Sequence, residues 1–146
     1  MPVINLPQFL AGVRKFSDEE LLKLTSQFTR RIALEVLVSI IQNTPVDTGR
    51  AKGAWHVSLE SPSESIRSSV EKLKTGGRKI TKAESVKLGS IVRKEGLATI
   101  GGHKPFGAIY INNNVDYILY LEEGTAKITA FAMAANAVNE VAAKFR

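Results

Sequence analysis

The sequence predicts an α+β fold: a long N-terminal helix and a C-terminal helix packed on a small, mostly antiparallel sheet, with a basic arm or loop inserted. Three observations predict it. Apolar residues between Leu21 and Ile41 recur at helical spacing, Ala54 to Glu60 alternates with the period of a half-buried strand, and Thr129 to Phe145 is alanine-rich with one apolar face. With 146 residues, 44% hydrophobic and 23% charged, the chain suits one folded domain spanning 1–146.

Taken in order, residues 1–16 read as an extended lead with Pro2 and Pro7, then a helical turn around Phe9 to Phe16. Ser17-Asp18-Glu19-Glu20 has the capping-box pattern, so the long helix is expected over 18–43. From Ile32 to Ile41 that helix is apolar on most sides, which calls for burial more than halfway round or for a subunit contact. Pro45 ends it, Asp47 and Thr48 can bond downstream amides, and Gly49 and Gly53 permit positive φ. Trp55, the only tryptophan, then opens the strand with Val57 and Leu59 on its face.

Ser61-Pro62-Ser63 ends the strand, and Glu64 to Leu73 has weak helical character broken by Thr75-Gly76-Gly77. Thr81-Lys82-Ala83-Glu84 is a second capping-box pattern, heading a helix to about Glu95 that Gly96 stops. Ala108 to Ile111 reads as a strand and Asn112-Asn113-Asn114 as a turn. Val115 to Gly124 fits helix or strand, with helix favoured by the terminal glycine. The closing helix carries Phe131, Ala134, Ala135, Val138, Val141, Ala142 and Phe145 along one face.

Charge divides the chain sharply. Residues 61–104 hold ten bases against four acids, which is the whole of the net +6. With few apolar residues, this stretch reads as an excursion from the domain body, either a solvated insertion or an arm facing something anionic. Lys72, Lys74, Arg78, Lys79, Lys82, Lys87, Arg93 and Lys94 are its candidate contacts to DNA or to a neighbouring subunit. No aromatic residue lies within it, so any nucleic-acid contact would be to phosphate and without sequence preference.

Catalytic signals are weak. The absence of cysteine excludes disulfides, thiolate catalysis and cysteine-ligated zinc. His56 and His103 lack partners at metal-ligand spacing, and neither Gly101-Gly102-His103-Lys104 nor Thr75-Gly76-Gly77-Arg78-Lys79 has phosphate-loop spacing. Asp47-Thr48-Gly49 is the triplet of aspartic proteases, but one copy would need a homodimer, and it follows a helix and a proline. A turn is the better account. No enzyme, cofactor or metal is expected. The N-terminus lacks the pattern of a signal peptide, and no apolar run reaches membrane-spanning length, so no membrane association is expected.

Thr44-Pro45-Val46-Asp47-Thr48-Gly49-Arg50-Ala51-Lys52-Gly53-Ala54-Trp55-His56-Val57-Ser58 resembles the signature of the neck or tail-completion proteins of long-tailed bacteriophages. There a long helix runs into a Pro-Val-Asp-Thr-Gly-Arg turn and a tryptophan-bearing strand. Asn112 to Thr125 resembles the family's asparagine, tyrosine, then Leu-Glu-x-Gly stretch, in the right order. The chain departs from the family before the last helix, where it reads Thr129-Ala130-Phe131-Ala132-Met133. The resemblance implies a non-enzymatic virion protein, made in the host cytoplasm, that joins the tail to the DNA-filled capsid. It implies a homo-oligomeric ring touching other neck, tail-terminator or tail-tube proteins, with DNA passing nonspecifically through its channel. It implies that Asp47 and Thr48 lock the turn, Arg50 pairs with Glu122 or Glu123, and Trp55 anchors the sheet on the helix. The alternative reading is a nonspecific nucleic-acid-binding module, and a third is the dimeric protease.

Overall fold

Helix formation begins earlier than the apolar pattern indicates. In the computed structural model, which describes residues 5–73 and 77–146, α1 (Leu6–Lys15) starts with Pro7 in its first turn. Proline suits that place because its missing N–H would have had no intrahelical partner. A π-helical turn, Phe16–Glu20, joins α1 to α2 (Leu21–Asn43), and the Leu21 N–H closes that turn on the Phe16 carbonyl. The expected start at residue 18 is therefore corrected. The preceding carbonyls already serve the amides that a capping box would satisfy. The Ser17 hydroxyl instead donates to the Arg14 carbonyl at 3.2 Å.

α2 carries the core. Every residue from Ile32 to Ile41 is buried or half-buried, as its all-round apolar pattern requires. Thr44 leaves the helix in extended conformation before Pro45 (φ −75°, ψ 122°), a short α3 (Arg50–Gly53) follows, and β1 (Trp55–Ser58) begins. β1 pairs antiparallel with β2 (Tyr110–Asn113), with Trp55 opposite Asn113 and Ser58 opposite Tyr110. The remaining helices are α4 (Ser68–Glu71), α5 (Lys82–Gly101), α6 (Ile118–Glu123) and α7 (Met133–Lys144). A long N-terminal helix, a C-terminal helix and a small antiparallel sheet make the α+β fold.

Between β1 and β2, α4 and α5 pack back onto the domain body. α5 packs against α2 and β1, and its Val92 and Ile100 join Leu37, Ile40, Trp55, Met133 and Ala137 in one core cluster. Val70 of α4 closes a second cluster with Ala54 and Val115. The expected excursion over 61–104 is therefore corrected: the segment is inserted between the paired strands, but its inner face is core. Composition hid this because α5 buries small residues. Ser85, Gly89, Val92, Gly96 and Ile100 form its inner face, so two helices approach closely over little apolar mass. Gly96 does not stop the helix. A Cβ there would collide with Cδ2 of Leu37, a side chain with no exposure, so the glycine is a contact point.

Two further boundaries move. Asn112 and Asn113 belong to β2 and do not form a turn; their side chains bond elsewhere in the fold. α7 begins at Met133, four residues after the expected start, because the Phe131 and Ala132 amides bond the Leu121 and Glu122 carbonyls. Its buried face is Met133, Ala137 and Val141, rotated from the expected one, and Phe131 and Val138 are exposed.

Candidate interaction surface

The turn that follows α2 is held from three sides. Gly49 takes a left-handed conformation (φ 84°), which glycine adopts without the Cβ penalty. Thr48 is buried, and its hydroxyl lies 3.4 Å from the Arg50 amide, a long contact. Asp47 contributes through its backbone: its carbonyl accepts from the Ile80 amide at 2.9 Å. Its carboxylate is exposed and bonds nothing among the described residues, so the expectation that this side chain locks the turn is corrected. Trp55 is buried, and its indole N–H donates to the Thr44 hydroxyl at 2.9 Å, which in turn donates to the Ile40 carbonyl at 2.6 Å. The tryptophan thus fastens the start of β1 to the last turn of α2.

Arg50 forms no pair with Glu122 or Glu123; that expectation is corrected. Its Nη1 donates to the Leu73 carbonyl at 3.0 Å, and its Nε is buried without a partner among the described residues. Glu122 instead reaches the start of α7, where its two oxygens accept the Ala134 and Ala135 amides at 3.0 and 3.1 Å. Ala132, at the N-cap with φ 47°, has no side chain to do this, so a carboxylate from α6 satisfies the orphan amides and the positive end of the helix. Glu123 is exposed and unpaired among the described residues.

Of the eight basic candidates, Lys74 lies outside the described residues. Arg78 pairs with Glu84 at 2.6 Å, and that contact, with the Thr81 amide, lowers the Glu84 carboxyl to about 2. The same Glu84 completes the capping box with Thr81 at the start of α5. Lys72, Lys79, Lys82, Lys87, Arg93 and Lys94 are exposed and make no ion pair among the described residues. Four of them, Lys82, Lys87, Arg93 and Lys94, are on α5, where Val86 and Leu97 are exposed as well. Lys52, behind α5, donates to Ser85 Oγ at 3.1 Å, and partial burial lowers its pKa.

Several structural side chains carry no sequence signal of their role. Arg67, one of the ten bases, donates to the Gly53 and Trp55 carbonyls (2.6 and 2.7 Å) and pairs with Glu95 at 2.5 Å. Asn112 and Asn114 bind the backbone of Ser63, and Asn113 donates to the Ala51 carbonyl at 2.8 Å, so three side-chain amides tie β2 and its end to the chain on either side of β1. His103 is buried, with Nδ1 3.2 Å from Ser26 Oγ and Nε2 2.8 Å from the Gly107 carbonyl. Among the described residues no cluster of histidine and carboxylates could hold a metal, and no helix is long and apolar enough to cross a membrane.

Among the described residues, two apolar surfaces bear on assembly. An open cleft of about 490 Å³ lies between the 45–51 turn and the α6 to α7 connection, lined by Val46, Tyr117, Tyr120, Leu121, Ile128 and Phe131 with Asp47 among them. At the far end of the long helix, α1 buries no residue at all. Leu6, Phe9, Leu10, Val13 and Phe16 are 47–64% exposed at spacings that place them on one stripe. No protein-family model, curated protein or solved structure matches the chain.

Proposed function

We propose that this chain is a structural virion protein of the head-tail connection, completing the tail and helping join it to the DNA-filled capsid. It acts by fitting between other proteins and makes or breaks no covalent bond. Its partners are further copies of itself in a ring, and other neck, tail-terminator or tail-tube proteins. It is made in the host cytoplasm and ends in the virion. One observation carries the reading: five large apolar side chains stand exposed along α1 and the first residue of the π turn after it, a stripe that a monomer has no use for. The resemblance around Pro45 to Trp55 supplies the class of assembly. Interrupting the gene in the replicon that encodes it should leave filled heads and separate tails in electron micrographs, with joining restored by the gene in trans. Intact joined particles without the protein would end the reading.

A second reading, nonspecific nucleic-acid binding, is favoured by the exposed Lys82, Lys87, Arg93 and Lys94 of α5, which make no ion pair among the described residues. It requires binding to duplex DNA that weakens steeply with salt and does not depend on α1.

A further inference from the structure

We propose that α1 of one copy seats its apolar stripe in the cleft beside Asp47 of a second copy. This contact rests on the reading of the chain as an assembly protein and specifies how its copies meet. Three observations lead to it.

The stripe and the cleft match in chemistry. Phe9, Val13 and Phe16 need an apolar receptor, and Val46, Tyr120, Ile128 and Phe131 offer one, each at least 41% exposed. Charge fits as well. Arg14 lies beside the stripe without an ion-pair partner among the described residues, and the Asp47 carboxylate stands in the cleft without one, with exposed Glu123 at the end of α6. Opposite charges at the edge of an apolar contact fix its register and speed its formation.

Geometry then excludes the chain's own helix as the occupant. From Leu6 to Asn43 the chain is helical without a break, and the cleft begins at Pro45, just past the other end. At about 1.5 Å per residue, Phe9 lies on the order of 50 Å from Pro45 along that rod. α1 cannot fold back over its own cleft, so the contact must be made between molecules. The stripe and the cleft are different patches, so a one-way, head-to-tail contact leaves each copy one of each surface free for the next, and it closes into a ring where the rotation between copies permits.

The test uses the full chain in light scattering coupled to size exclusion across a wide concentration range. The wild type should associate, whereas Phe9→Glu and Tyr120→Glu should each remain monomeric with unchanged helix content by circular dichroism. Mixing those two variants should give a heterodimer and nothing larger, since only one good stripe and one good cleft remain. Asp47→Arg should weaken association about tenfold or more, and Arg14→Asp in the same chain should restore it. A monomeric wild type overturns the proposal, as do variants that associate like the wild type. The two readings fail separately. Head-tail joining that needs the protein but tolerates Phe9→Glu removes this contact alone, and a chain that self-associates through α1 but is absent from particles removes the virion role alone.

Discussion

At the scale of single residues, His56 is the side chain whose surroundings oppose its charge. It lies on β1, half-buried, and its Nε2 is buried with no hydrogen-bond partner among the described residues. Burial lowers its pKa below the ordinary 6.5, the nearby Arg67 lowers it further, and Glu95 opposes them. The sign follows from linkage. Below the unfolded pKa the unfolded chain takes up a proton that the folded chain resists, so stability contributed by neutral His56 is present above pH 6.5 and is lost as pH falls from there toward the folded value. The urea midpoint of the wild type should therefore drop between pH 7.5 and pH 5.5 by more than that of His56→Asn. Equal drops in the two proteins would show that the imidazole bears no such load. Nothing in the alternation of Trp55, Val57 and Leu59 marks this histidine, because a period-two pattern assigns a face and says nothing of what covers it.

At the scale of elements, the packing of α5 on α2 is set by the absence of side chains. Substituting Gly96→Ala gains about 1 kcal/mol of helix propensity but drives a methyl group into Leu37, and overpacking a buried contact costs about 1–3 kcal/mol. Leu37 has no exposure and Val57 closes the other side at 3.1 Å, so the cost should win. Chemical denaturation should show Gly96→Ala destabilised by up to about 2 kcal/mol. Gly12→Ala, where a Cβ meets nothing within 4 Å, should leave global stability unchanged or raised, and a matching loss in both would refute the packing account. This contact also explains what the sequence concealed. The capping box at Thr81 and Glu84 is legible because it is local, and it forms. The same pattern at Ser17 and Glu20 is overridden by a helix already running from Leu6. Gly96 reads as a stop by propensity, yet it is the residue that lets a helix continue against its neighbour. At the candidate site, the turn residues and Trp55 stand out in the sequence. The Glu122 cap does not, since it depends on where α7 begins in space.

At the scale of the molecule, the segment between the two strands decides whether the domain exists. Deleting residues 64–100 removes Val70, Val92 and Ile100, each nearly without exposure, at roughly 2 kcal/mol of burial apiece. It also strips the cover from Leu37 and Ile41, and single domains have only about 5–15 kcal/mol in total. The deleted chain should lack a cooperative thermal transition and a dispersed amide spectrum; recovery of both would return the segment to the status of an appendage. Lys87, Arg93 and Lys94 are exposed on a helix whose inner face is structural, so part of the charge and part of the core are carried by the same twenty residues. The π turn at Phe16–Glu20 has a consequence of its own. One surplus residue in a helical rod advances everything before it by about 100° around the axis. The direction in which the α1 stripe faces, relative to the buried side of α2, is thus a matter of phase. Counting residues aims this arm, and a single insertion or deletion between 16 and 20 would turn it toward a different neighbour without bending it.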